Sequence, residues 1–241
     1  MNKKSIEFID IVSTVVISVT VFLLPIFFLT NTTEAAAIPK QFLVMLTVAV
    51  LFIVWGIKII IERRVVLNAN PLNLPLAIFG AIIFISALLS RNRFDSLIQT
   101  VPVLFALLLF FHIVNTVRDR KNFSLILSAL VLGAAVSSLT TILYYFKVYI
   151  PFLNIQNQFF NPLGSVIQQV LYLIPILVFS LYFLAKKTGF PKIKISSSLT
   201  GDYGFFINLF SAAVIIAGIA LIAYQIIALP NKPILLPYIY G

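Results

Sequence analysis

The chain has no cysteine and a single histidine among its 241 residues. The first absence excludes disulfide frameworks, thiolate metal sites and cysteine nucleophiles, and it says nothing about compartment. With His112 alone, a multi-histidine metal site is excluded too. Neither a metal nor another cofactor is expected. Acid is also scarce. The seven carboxylates are Glu7, Asp10, Glu34, Glu62, Asp95, Asp119 and Asp202, all in connections or at the ends of apolar runs. Charged residues make up 10% of the chain, against about 25% in an ordinary soluble domain. Apolar side chains take their place, at 61% of residues and a mean hydropathy of +1.10. Too little polar surface remains to cover a water-soluble core of that size. The solvent for this chain is lipid.

A hydrocarbon layer of about 30 Å is crossed by about 20 apolar residues in a helix. Seven runs meet or approach that length: Ile11–Leu29, Gln41–Ile61, Leu74–Ser90, Ser96–Val117, Phe123–Phe146, Ser165–Ala185 and Phe205–Leu229. They are too continuously apolar for the alternating strands of a membrane barrel. The expected fold is an all-α polytopic membrane protein, one transmembrane helical domain over residues 1–241 with about seven spans. Lys3 and Lys4 before an apolar run, with Ala35-Ala36-Ala37 after it, resemble a secretory signal. The run exceeds the usual signal core of about 7–15 residues, and the alanines lie well past its end. An uncleaved first helix is expected.

The net charge of +10 would suggest nucleic acid in a soluble protein. Here it reports topology instead. Taking alternate connections, twelve Lys and Arg fall on the side of the N-terminus and five on the other. Positive residues collect on the cytoplasmic side, so the N-terminus is expected there and, with seven spans, the C-terminus outside. Lys58, four residues before Glu62, is expected to snorkel to the cytoplasmic interface. Membrane lipid is the expected partner and nucleic acid is not.

None of the runs carries an ionisable residue near its middle, His112 being the nearest case. Ion-coupled carriers need such groups, so coupled transport is disfavoured, whereas a passive lipid flippase stays open. His112 reads as a hydrogen-bonded packing histidine toward the cytoplasmic end of the fourth run. Asn208, Gln225, Gln168 and Gln169 read as interhelical hydrogen-bonding groups. Ala129, Gly133, Ser137 and Thr141 recur every four residues and form a stripe for close helix approach. Pro25, Pro102 and Pro175 lie within or beside runs, where proline kinks or starts helices. No fixed-period repeat or inverted duplication is visible. Lys186–Gly204 reads as a basic cytoplasmic loop.

The outside positive charges run against the trend. Lys40 precedes the second run, and Arg91 and Arg93 follow the third. Cations at the outer face suit a diphosphate-bearing lipid, because arginine offers forked donors to phosphate oxygens; pairing with ordinary headgroups or with Asp95 is the alternative. The connection Lys147–Gly164 carries Tyr149, Phe152, Phe159 and Phe160 among amides that include Asn161. Such aromatics form an interfacial belt by default. Beside amides they also suit a sugar ring, which makes Phe159, Phe160 and Asn161 candidate glycan contacts. Asn31-Thr32-Thr33 matches a glycosylation acceptor, a pattern that chance produces often.

Several strings occur in a recognisable order. They are Ile38-Pro39-Lys40, Asn70-Pro71-Leu72-Asn73-Leu74-Pro75, Ile85-Ser86-Ala87-Leu88-Leu89-Ser90 running into Phe94-Asp95-Ser96-Leu97, Val117-Arg118-Asp119-Arg120-Lys121, and Phe160-Asn161-Pro162-Leu163-Gly164-Ser165. Together the chain resembles the N-terminal half of the bacterial O-antigen ligase / O-antigen polymerase family. The resemblance implies a GT-C-like glycosyltransferase bundle in the bacterial cytoplasmic (inner) membrane. Such enzymes move a glycan from an undecaprenyl-diphosphate carrier to an acceptor at the outer face, without metal. The family's key arginines and histidine lie on outside loops later in the chain, and His112, expected near the cytoplasm, does not match them. No catalytic residue carries over, so the chain is expected to be an N-terminal part, inactive alone. A lipid or polysaccharide transporter, or a scaffold subunit docking through the Gly133–Ser137 stripe, are the other readings.

Overall fold

A computed structural model describes residues 3–29, 35–63, 70–117, 120–149, 160–187, 211–221 and 224. Among them all regular structure is helical: α1 (Lys3–Leu23), α2 (Ala37–Glu62), α3 (Asn73–Leu89), α4 (Arg93–Thr116), α5 (Arg120–Tyr145) and α6 (Val166–Lys187), then α7 (Ser211–Leu221). Each apolar run thus overlaps a helix. Four stretches, Ile6–Leu23, Ala37–Glu62, Arg93–Thr116 and Asn122–Tyr145, are long and apolar enough to cross a membrane. Asn73–Leu89, Val166–Leu181 and Ser211–Leu221 are shorter apolar helices. Only 17% of the apolar window of α2, and of α4, is buried within the protein. Their side chains face outward, as lipid solvation requires. The molecule has the character of a helical membrane protein.

Helix ends follow local chemistry. α1 begins at Lys3 and stops at Leu23, upstream of the expected Ile11–Leu29. Proline cannot donate a helical hydrogen bond, and at Pro25 the chain turns, with the Ile26 and Phe27 N–H groups both donating to the Leu23 carbonyl (2.9 and 2.8 Å). Two helices are preceded by the same turn. Before α3 the Leu72 N–H donates to Asn70 Oδ1 at 2.9 Å and the Asn73 N–H to the Asn70 carbonyl at 3.1 Å. Before α6 the Leu163 N–H donates to Asn161 Oδ1 at 2.9 Å and the Gly164 N–H to the Asn161 carbonyl at 3.0 Å. Asparagine followed by proline builds this turn because its side chain accepts from the backbone two residues on. Ser165 then caps α6, its Oγ accepting from the Gln168 N–H at 3.2 Å. α5 closes with Lys147 at φ 60, where the Val148 N–H donates to Leu143 O and the Lys147 N–H to Tyr144 O (both 2.9 Å). That is the Schellman pattern, with lysine where glycine is usual.

The chain divides into two compact units, one of residues 1–20 and 41–126, the other of residues 21–40 and 127–241. In the first, α1 and α2 run antiparallel. The Thr20 and Thr47 hydroxyls share a hydrogen bond of 2.8 Å, and Lys58 pairs with Asp10. α3 packs on α4 and buries only Ala87.

The second unit is organised by α5. Val131 and Ala134 pack with Leu173 and Ile176 of α6 and Ile215 of α7. The small-residue stripe lies here. A Cβ on Gly133 would stand 2.6 Å from the Phe22 carbonyl. On α7, a Cβ on Gly218 would stand 1.8 Å from Ser138 Oγ, which itself donates to the Val214 carbonyl at 2.9 Å. Glycine lets these backbones approach within hydrogen-bonding range.

Candidate functional site

In the second unit the start of α2 meets the turn that opens α6. Lys40, half-buried, donates from Nζ to the Pro162 carbonyl at 2.6 Å. The turn is packed tightly against that helix start: a Cβ on Gly164, which holds φ +95, would stand 2.9 Å from the Ala36 Cβ. Beneath it runs a buried chain of amides. Asn161 Nδ2 donates to Gln169 Oε1 at 2.6 Å and to the Ser165 carbonyl at 3.2 Å. Gln169, fully buried on α6, donates from Nε2 to Thr141 Oγ1 on α5 at 2.9 Å. Buried amides are stable only when their polar atoms are satisfied, and here each finds an internal partner. Phe160 closes the floor, its ring 4.8 Å from both Phe28 and Tyr144.

Three of the six residues singled out in the sequence therefore come together: Lys40, Phe160 and Asn161. Phe160 and Asn161 are 8% and 7% exposed, so in this conformation they support the turn rather than present a face. Phe159 lies outside the described residues, as do Asn31–Thr33, Asn208, Gln225 and all of Lys186–Gly204 beyond Lys187. Arg91 and Arg93 belong to the first unit, exposed where α3 passes into α4. Asp95 beside them accepts from Asn92 Nδ2. Gln169 makes the interhelical hydrogen bond expected of it.

The first unit holds a polar group that sequence reading left unassembled. Asp10 and Ser13 of α1, Lys58 and Glu62 of α2, and His112 and Asn115 of α4 line one cleft of about 20 Å³, room for a single water. Lys58, expected to reach the interface, pairs with Asp10. Their similar distance from two adjacent run ends was the available signal. His112 is 3% exposed, its ring 4.5 Å from Phe52 and its Nε2 without a hydrogen-bond partner. Aromatic rings pack around it, but this nitrogen lacks the hydrogen bond expected of a packing histidine.

No group of three or more His, Cys, Asp or Glu side chains able to hold a metal occurs among the described residues. No family model, no curated protein and no solved structure matches this chain. The functional reading therefore rests on the residues.

Proposed function

We propose that this chain is the N-terminal membrane part of a glycosyltransferase of the O-antigen ligase or polymerase type. It has about seven spans in a GT-C-like arrangement, N-terminus in the cytoplasm and C-terminus outside, in the bacterial cytoplasmic membrane. The donor is a glycan on undecaprenyl diphosphate at the outer face. An acceptor hydroxyl oxygen bonds to the anomeric carbon and gives up its proton to solvent, the bond from that carbon to the diphosphate oxygen breaks, and undecaprenyl diphosphate leaves. Cations near the leaving group stabilise the charge it gains.

One observation carries the reading. The two strings Ile38-Pro39-Lys40 and Phe160-Asn161-Pro162-Leu163-Gly164-Ser165, both part of the resemblance, are joined by the Lys40–Pro162 hydrogen bond. Among the described residues the one ion pair is Lys58–Asp10, so Lys40 stands half-buried with no carboxylate partner among them. A cation in that position suits an anionic headgroup. Arg91 and Arg93, exposed at a helix connection, are the other phosphate-binding candidates.

The test replaces Lys40, Arg91 and Arg93 together by alanine in the intact protein. Glycan transfer is then followed in membranes that contain lipid-linked glycan and acceptor. Loss of transfer with retained membrane insertion is expected. Unchanged transfer removes these three residues from the reaction. Flipping of the carrier without any transfer by the wild-type protein would replace the reading by a lipid transporter.

A further inference from the structure

We infer that Asn161 is a positioning residue, which sets the Lys40 ammonium for a diphosphate headgroup through the Pro162 carbonyl; the ligand half rests on the function proposed above. The geometry is a relay of side chain, turn and side chain. Asn161 uses its side-chain amide and its backbone carbonyl internally. Its Oδ1 accepts from the Leu163 N–H, its carbonyl from the Gly164 N–H, and its Nδ2 donates to Gln169 and the Ser165 carbonyl. These four bonds define where the Pro162 carbonyl points, because that carbonyl sits at the second position of the turn Asn161 closes. Lys40 Nζ lies 2.6 Å from it.

A lysine side chain has four rotatable bonds and wanders unless something holds its head. A backbone carbonyl is a suitable holder for a cation that must also bind an anion. It takes one of the three ammonium protons, carries no net charge, and leaves the positive charge uncompensated. A carboxylate in its place would neutralise the lysine. The anchor of the relay is deep: Gln169 is fully buried and Thr141, its partner on α5, is 6% exposed. The turn is therefore referenced to the interior of the second unit, not to solvent.

This assignment differs from glycan contact for Asn161. A sugar-binding amide needs free donors and acceptors at a surface, and those of Asn161 are consumed in a buried site. Aspartate at the same position would keep the acceptor for Leu163 but lose the donor to Gln169, so it separates the two jobs of the side chain.

The experiment measures reductive methylation of the Lys40 amine by peptide mass spectrometry, on the full chain in lipid nanodiscs. It compares wild type, Asn161→Ala, Asn161→Asp and Gln169→Met, each with and without undecaprenyl diphosphate. Undecaprenyl monophosphate and phosphatidylglycerol serve as comparison lipids. Releasing the turn should raise the Lys40 labelling rate about fivefold in Asn161→Ala, the change carried by one net hydrogen bond. Gln169→Met, which leaves the turn residues intact, should show a smaller rise in the same direction. Undecaprenyl diphosphate should protect Lys40 in the wild type, and about tenfold more of it should be needed in Asn161→Ala. Equal labelling in all folded variants overturns the positioning role. Raised labelling in the variants with no protection of the wild type by diphosphate lipid keeps the relay and overturns the diphosphate reading. Equal protection by phosphatidylglycerol assigns Lys40 to general headgroup binding and overturns the diphosphate reading as well.

Discussion

Lys40 Nζ donates to the carbonyl of Pro162, 122 residues further along the chain, at 2.6 Å. The contact joins the start of α2 to the turn that opens α6. It makes that turn a load point for the second unit, and the turn's own glycine is the place to measure the load. At Gly164 φ is +95, and an added Cβ would stand 2.9 Å from the Ala36 Cβ. Gly164→Ala is expected to cost at least about 1–2 kcal/mol, from the backbone conformation alone. The control is Gly56→Ala, inside α2 with nothing within 4 Å of the new Cβ. It should leave stability unchanged or raise it by up to about 1 kcal/mol. Thermal unfolding of both in one detergent gives the comparison.

The close approaches along α5 can be ranked by what would have to move. A Cβ on Gly133 meets the backbone carbonyl of Phe22, which has no rotamer to change. A Cβ on Gly218 meets Ser138 Oγ, which can rotate only by giving up its bond to the Val214 carbonyl. Both alanine variants should destabilise the second unit, by about 1–3 kcal/mol. Ser138→Ala should recover part of the loss for Gly218→Ala and none of it for Gly133→Ala. Equal recovery in both would contradict these contacts.

Asp10 and Lys58 tie α1 to α2 with 29% and 15% of their side chains exposed. Asp10→Asn leaves a lysine without its partner, and Lys58→Met leaves an aspartate. Each single change is expected to cost about 1–3 kcal/mol. The double variant should cost less than the two together, with a coupling of about 1 kcal/mol or more. Strict additivity in unfolding measurements would show that the pair contributes nothing.

His112 offers a test in the opposite direction. Its Nε2 is buried without a partner, while Phe52, Trp55 and Phe111 surround its ring. His112→Phe keeps the ring contacts and removes the unsatisfied nitrogen. The adjoining cleft gives the larger ring room. Stability should rise by about 1 kcal/mol. A higher unfolding temperature of the variant in detergent confirms the packing role, and a lower one contradicts it.

The positions of the helices were legible because each is an apolar run that needs no tertiary information to be recognised. Their ends were not. Whether α1 stops at Leu23 or Leu29 depends on the turn at Pro25, whose hydrogen bonds are geometric. Lys58 illustrates a second limit. Its distance from Glu62 suggested the interface, but its actual partner depends on how α1 and α2 are rotated about their axes. For the candidate site, the sequence pointed to Lys40 and, separately, to Phe160 with Asn161. It could not show that a lysine and a carbonyl 122 residues apart are bonded, because neither string has a periodicity that names the other.

The salt bridge between α1 and α2 also bears on how the chain enters its bilayer. A lone Asp or Lys at the centre of a span costs about 2.5–3.5 kcal/mol to insert, and less toward its ends. Asp10 and Lys58 are carried by consecutive antiparallel helices and cancel each other's charge where they meet. Paired, the two side chains offer lipid no net charge at their contact, which lowers the cost of burying it.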